Sequence, residues 1–342
     1  MSGWAGRLAA AVLALTTALA LAAMFSPWPG SLAVRVLFDW GTSRSLPQQL
    51  ALAPPGVIVH AGIVHAPEDP DGVLDLYLPP ADGRHPGPRP VVVWVHGGGF
   101  VSGDSSQIAP YARWLADAGY AVVAVNYTKA PEARHPTPAR QVNQALRWLD
   151  AAATRYPVDP GRVVLAGDSA GASIAAQVAN AITSPDYARA LGLTPALAPE
   201  RLKAVILHCG PYDLAAFRLD GVVGAFLRSV LHGYSGRREG WQEDPAFRPF
   251  SVVNFLTPAF PPAFVSVGNA DPLEPQSREL ASTLQALGVP VQTRFHAPDA
   301  PALAHEYQFE MQRPEARRAF TETLAFLDRY SAAPTPAPLT AD

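Results

Sequence analysis

The strongest constraint on this chain is a set of short segments that are apolar on both faces. Val91–Val95 and Ala121–Val125 contain no polar residue, and Arg162–Ala166, Leu202–Cys209, Ala263–Val267 and Val291–His296 read as further strands. A strand with one wet face alternates polar and apolar residues, whereas an unbroken apolar run needs cover on both sides. Between these runs lie stretches of helical spacing: Ala139–Tyr156 with Val142, Leu146 and Leu149, a helix running to about Ala181, Ser277–Leu287 and Pro314–Tyr330. Strands alternating with helices predict an α/β chain, with a mostly parallel central sheet and helices on both faces. Val57–Val64 and Leu74–Leu78 precede this series as strands, so residues 57–330 read as one domain. From about Tyr212 to Pro262 the rhythm breaks around an apolar helix, Val222–Leu231. An excursion of that length between two core strands predicts a helical cap.

The ends differ from this body. Leu8–Phe25 carries no charge, and as a helix it would span roughly 27 Å, enough for a bilayer core. Trp4 and Trp28 flank it where interfacial aromatics lie. We read residues 1–30 as a membrane anchor, the association running through residues 8–25. A signal peptide cleaved near Ala20-Leu21-Ala22 and a buried cap helix are the alternatives. The domain at 57–330 is then expected on the extracytoplasmic side, with secretion or a cytoplasmic location as alternatives. Residues 31–56 read as N-terminal cap or linker, and the proline-rich 331–342 as a disordered tail. The net charge of −3 leaves no basic face for nucleic acid. A single cysteine, Cys209, excludes an internal disulfide and a cysteine-built zinc cluster.

Chemistry concentrates in two loops. Gly167-Asp168-Ser169-Ala170-Gly171 fits G-x-S-x-G between an apolar strand and a helix. In so sharp a turn the residues two before and two after the serine approach each other, which calls for Gly167 and Gly171. Ser169 is the candidate nucleophile, exposed at a helix N-terminus whose positive end favours an oxyanion. His96-Gly97-Gly98-Gly99 follows the strand Val91–Val95 and offers backbone N–H donors. Gly97, Gly98 and Ala170 are the expected oxyanion donors. No Lys-Ser or Lys-Thr pair follows these glycines, which argues against a phosphate loop.

A serine at such an elbow needs an acid and then a histidine later in the chain. Asp271, after the strand Ala263–Val267, is the expected acid, with Glu274 as competitor; His305 is the expected base, with His296 as alternative. Asp168 is read as a structural hydrogen-bond partner, and Tyr127 and Glu132 as braces behind the site. His305-Glu306-Tyr307-Gln308-Phe309 lacks the second histidine of a zinc-protease helix, so no metal is expected.

Taken in order, His96–Phe100, Asn126-Tyr127 with Ala130-Pro131-Glu132, Gly167–Gly171, Asp271-Pro272-Leu273 and His305 carry a resemblance. Over roughly residues 57–330 the chain resembles the bacterial hormone-sensitive-lipase-like carboxylesterases of the α/β-hydrolase fold. The resemblance implies a Ser-Asp-His carboxylesterase acting on small-molecule esters of short to medium acyl chains, without a cofactor. It also implies a cap built from the N-terminal segment and the insertion. The chain departs from the family at Ala172, Asn126, Thr128-Lys129 and Glu306, the last standing where the family often has glycine. The same triad could serve a peptidase, an amidase or an acyltransferase, and the fold also has non-catalytic binders. The oligomeric state is not legible in the sequence.

Overall fold

The computed structural model describes residues 2–332. The expected disordered tail therefore lies, from residue 333 on, outside the described residues. Eight strands form one sheet: β1 (Ile58–Val64), β2 (Val73–Leu78), β3 (Arg89–Val95), β4 (Ala121–Val125), β5 (Val158–Asp168), β6 (Leu202–His208), β7 (Ala263–Ser266) and β8 (Val291–Arg294). Their spatial order is β1-β2-β4-β3-β5-β6-β7-β8. The pairs β1–β2 and β2–β4 are antiparallel, and every pair from β4–β3 to β7–β8 is parallel. The helices are α1 (Ser2–Phe25), α2 (Trp28–Leu52), α3 (Ala109–Asp117), α4 (Thr137–Ala152), α5 (Ser169–Thr183), α6 (Pro185–Leu191), α7 (Gly221–Ser235), α8 (Glu274–Ala286) and α9 (Pro314–Ser331).

The unbroken apolar runs have a simple cause. Successive side chains on a strand point to opposite faces, and here both faces are covered. Val91, Val93 and Val95 of β3 pack with Val123 and Leu165 against α4 and α5, through Val142, Leu146 and Ile174. Val92 and Trp94 face the other way and pack with Val122, Ala166 and Ile206 against α3 and α9, through Tyr111, Leu115 and Phe326. Register fixes this arrangement: Trp94 lies between Ala124 and Ala166, small residues that leave room for its ring.

Several boundaries differ from the sequence reading. The segment 31–56 is mostly helix, since α2 runs from Trp28 to Leu52 straight through Pro47. The helix expected over Ala139–Tyr156 ends at Ala152, and the last strand stops at Arg294, leaving His296 in the loop beyond. α7 lies in the long excursion between β6 and β7 and packs along α2. Phe38 meets Phe226 with ring centroids 5.5 Å apart, and Gly30 lies against Ser229.

The glycines at the turn from β5 into α5 have no room for a side chain. A Cβ on Gly167 would come within 2.5 Å of the Gly171 carbonyl carbon, and one on Gly171 would collide with the carbonyl oxygens of Val95 and His96. Gly171→Ala is therefore expected to lose about 3 kcal/mol or more of stability, or to fail to fold, since backbone cannot give way as a flexible side chain can. Gly41→Ala, inside α2 where nothing lies within 4 Å, should instead gain roughly 0.5–1 kcal/mol. Thermal or denaturant unfolding of the two variants checks this, and the contrary result is Gly171→Ala unfolding like the parent.

Candidate active site

Ser169 sits at the junction of β5 and α5 with φ of 50°, a left-handed backbone that a non-glycine residue rarely adopts. The turn is tight because Gly171 is driven against the end of β3, and it projects the serine off the carboxyl edge of the sheet. Ser169 is not exposed as the sequence suggested. It retains only 8% of its surface and lines a cavity of about 920 Å³. Phe38 and Leu37 of α2, and Phe226 and Val230 of α7, form much of the apolar wall.

Three of the expected residues meet at the floor of this cavity. His305 Nδ1 lies 2.7 Å from Asp271 Oδ2, and His305 Nε2 lies 2.9 Å from Ser169 Oγ. In the tautomer that donates Nδ1–H to the carboxylate, Nε2 is free to accept the serine hydroxyl proton. The Asp271 side chain is fully buried, and its other oxygen accepts from the Leu273 N–H at 2.8 Å. The competitors lie elsewhere. Glu274 opens α8 and pairs with Arg278 at 2.7 Å, while His296 Nε2 contacts the Tyr307 hydroxyl at 3.0 Å.

The donor set differs from the expectation at one residue. The Gly97 N–H is committed to Asp168 Oδ2 at 2.8 Å, so it is not available to an oxyanion. Gly98 and Gly99 follow with φ of 98° and 59° and line the cavity, and among the described residues neither N–H has a hydrogen-bond partner. Ala170 lies in the first turn of α5, where an N–H has no acceptor within the helix. Gly98, Gly99 and Ala170 all line the cavity.

The support behind this loop is polar and buried. Asp168 also accepts from Trp94 Nε1 at 2.7 Å, so one carboxylate ties β3 and the glycine loop to the elbow. Tyr127 donates its hydroxyl to the carbonyls of His96 and Gly97, at 3.1 and 3.0 Å, and its ring stacks on His96. Glu132 pairs through both oxygens with Arg35, whose Nε reaches the Val101 carbonyl at 2.6 Å. Arg35 thereby fastens α2 to the loop beyond the glycines. Nothing in its sequence neighbourhood signals this, because its partners lie 66 and 97 residues away.

Two further groups shape the electrostatics. Glu306 adopts φ of 62°, and its carboxylate lies beside Gly97 and Asp168, 3.7 Å from His305 Nε2. Burial, and then the charge of Glu306, hold the Asp168 carboxyl well above the usual carboxylate range. Burial works against a charged His305, yet its pKa lies well above the ordinary histidine value. The neighbouring Cys209 sulfur and Asp271 carboxylate outweigh burial, and Glu306 adds to them. Burial also pushes the Cys209 thiol up, so at neutral pH it is uncharged and we attribute the rise at His305 mainly to Asp271. The Cys209 sulfur lies within 4.8 Å of ligand atoms of Asp271 and His305. Both imidazole nitrogens already have partners in the hydrogen-bonded chain.

Comparison with known proteins agrees with this architecture. A family model described as alpha/beta hydrolase fold matches residues 92–300. Carboxylesterase NlhH of Mycobacterium tuberculosis is 32% identical over 273 residues, which cover 76% of this chain and 80% of that protein. Esterase LipQ of the same organism is 28% identical over 70% of this chain, which spans 55% of LipQ's length. Among solved structures, esterase B from Lactobacillus rhamnosis (HN001) superposes with a TM-score of 0.74 at 27% identity, covering 88% of this chain and 95% of that one. The chain belongs to the hormone-sensitive-lipase-like carboxylesterase family of the α/β-hydrolases.

The charge around His305 sets a pH dependence. A histidine acting as a base must be neutral, so a raised pKa moves the acid limb of kcat/KM upward, above the ordinary histidine value of about 6.5. Glu306→Gln removes a negative charge beside Nε2 and should move that limb to lower pH. Profiles of parent and variant between about pH 5 and pH 10 measure it. An acid limb that stays in place in the variant would show that Glu306 exerts no field on the imidazole.

Proposed function

We propose that this protein hydrolyses carboxylic esters of short to medium acyl chains by two-step acyl transfer, with Ser169 as nucleophile, His305 as base and Asp271 as its orienting acid. The observation that carries the reading is the hydrogen-bonded chain from Ser169 through His305 to Asp271 at the floor of an apolar cavity. His305 takes the serine proton as Oγ attacks the ester carbonyl, and Asp271 stabilises the imidazolium. The N–H groups of Gly98, Gly99 and Ala170 receive the oxyanion, each such donor contributing about 3 kcal/mol to the transition state. The alcohol leaves with the proton from His305, and water then attacks the acyl-enzyme by the same route. The names of the relatives support ester hydrolysis, as NlhH is a carboxylesterase and LipQ an esterase. Esterase B, the structural neighbour, is inhibited by a tributyrin phosphonate, which favours short acyl groups here too.

Ser169→Ala should lower kcat by about 10⁴-fold or more while leaving the unfolding transition in place. His305→Ala should cost as much and His296→Ala little; Asp271→Asn should cost orders of magnitude and Glu274→Gln little. Hydrolysis of p-nitrophenyl butyrate by purified variants decides the ranking. A Ser169→Ala enzyme keeping a tenth of the parental rate would overturn the assignment.

The reading extends to the N-terminus. Gly3–Ala22 of α1 has a mean hydropathy of 1.7, and none of it is buried against the rest of the protein. A cap helix would bury one face, so the exposure favours an anchor or a signal segment, and we assign α1 as a membrane anchor. In fractionated cells the full chain should pellet with membranes and residues 31–342 alone should be soluble and active. Recovery of the full-length chain without detergent would refute the anchor, and a mature chain beginning near Ala23 would show a cleaved signal. Across p-nitrophenyl esters the rate should peak at short to medium acyl length, and a rate still rising at sixteen carbons would refute the bounded pocket.

A further inference from the structure

α1 and α2 are separated only by Ser26 and Pro27, so α2 begins where the apolar N-terminal helix ends. On α2, Trp28, Leu32, Val36 and Trp40 recur every four residues and share one face. All four remain exposed, at 45%, 42%, 69% and 55%. Val34, which is buried, and Phe38, which meets Phe226, lie on the other side of the helix, while Asp39, set between Trp28 and Leu32 around the axis, accepts from the Ser102 hydroxyl. The stripe ends at Arg44, whose guanidinium carbon lies 3.9 Å from the centre of the Trp40 ring. Exposed apolar side chains flanked by tryptophan suit the interfacial region of a bilayer, where tryptophan is enriched.

Neighbours of this face line the cavity. Leu37, next on α2 after Val36, is 60% exposed and also lines the cavity. Val223 of α7 lines it from the other side and is 49% exposed, and Val222 beside it is 88% exposed. The stripe and the exposed cavity-lining residues Leu37 and Val223 thus all belong to the α2–α7 cover. In water these apolar residues have no partner, whereas α1 delivers them to a bilayer.

We propose that the α2 stripe and the Val222–Val223 corner lie in the headgroup region of a lipid bilayer. The mouth of the cavity then faces the membrane, and the esters hydrolysed are uncharged, membrane-dissolved ones whose acyl groups enter without crossing water. The proposal rests on the esterase and anchor readings given above and adds to them the orientation of the site and the physical state of its substrate.

The test uses the full chain in dioleoylphosphatidylcholine vesicles. Val36→Cys labelled with nitrobenzoxadiazole should show blue-shifted emission that brominated phosphatidylcholine quenches, the buried Cys209 remaining unlabelled. Emission characteristic of water overturns the proposal. A second arm uses Leu32→Glu, Val36→Glu and Trp40→Glu together, with α1 intact so that the protein stays on the vesicle. Hydrolysis of p-nitrophenyl butyrate in detergent should stay within twofold of the parent, while hydrolysis of dioctanoylglycerol dissolved in the vesicles should fall at least tenfold. Equal rates on both esters, or a matched fall on both, overturn the proposal. The readings separate cleanly: lipid contact at residue 36 without hydrolysis of either ester refutes the esterase and keeps the surface. Hydrolysis and co-flotation with vesicles, with residue 36 in water, refute the surface alone. Failure to co-float refutes anchor and surface together.

Discussion

The close approach of Gly171 to the Val95 carbonyl holds the rest of this site together. It forces the chain to leave β5 and enter α5 within one residue, and Ser169 takes the left-handed backbone that such a turn demands. Because β3 and β5 are neighbours in the sheet, the same contact brings the glycine loop after β3 beside the serine. Asp168 completes the junction by accepting from Trp94 on β3 and from the Gly97 N–H. That bond occupies the Gly97 N–H, while those of Gly98 and Gly99 have no hydrogen-bond partner among the described residues. A buried carboxylate with two donors holds geometry without moving, which is what stabilising an oxyanion requires.

A second layer of structure decides what reaches the serine. α2 and α7 cover the carboxyl edge of the sheet and turn an exposed elbow into a cavity floor. Arg35 secures this cover with bonds to Glu132 and to the carbonyls of Val101 and Ala130, so α2 is coupled to the loop that carries the glycines. Glu306 adds a carboxylate beside His305 where the resemblance leads one to expect glycine. It raises both the neighbouring Asp168 and His305, linking the buried support to the protonation of the imidazole.

Much of this was legible in the sequence. Val91–Val95 and Ala121–Val125 are apolar because each side chain meets a helix layer on one face or the other, and that pattern survives without knowledge of partners. The elbow was legible because its glycines answer a local steric demand. α2 was not, because apolar residues occupy both its packing face and its exposed face, and Gly30, Gly41 and Pro47 interrupt it. No single stripe of period 3.6 results, and a helix with apolar residues on both its packed and its exposed sides reads only as a cap or linker. The choice among three successive glycine N–H groups was equally hidden. It is made by Asp168, 71 residues along the chain, and only the folded sheet brings that carboxylate to Gly97. Glu306 comes to lie beside Asp168 in the same way, through a contact that no local pattern announces.

The central claim is that Ser169 is the nucleophile, and covalent labelling tests it most directly. Diethyl p-nitrophenyl phosphate should react once per chain, a bond forming between Ser169 Oγ and phosphorus as p-nitrophenolate leaves and His305 takes the hydroxyl proton. Intact mass should rise by one diethylphosphoryl group, fragmentation should place that group on Ser169, and the Ser169→Ala chain should remain unlabelled. A single adduct on any other residue, or stoichiometric labelling of Ser169→Ala, would contradict the account.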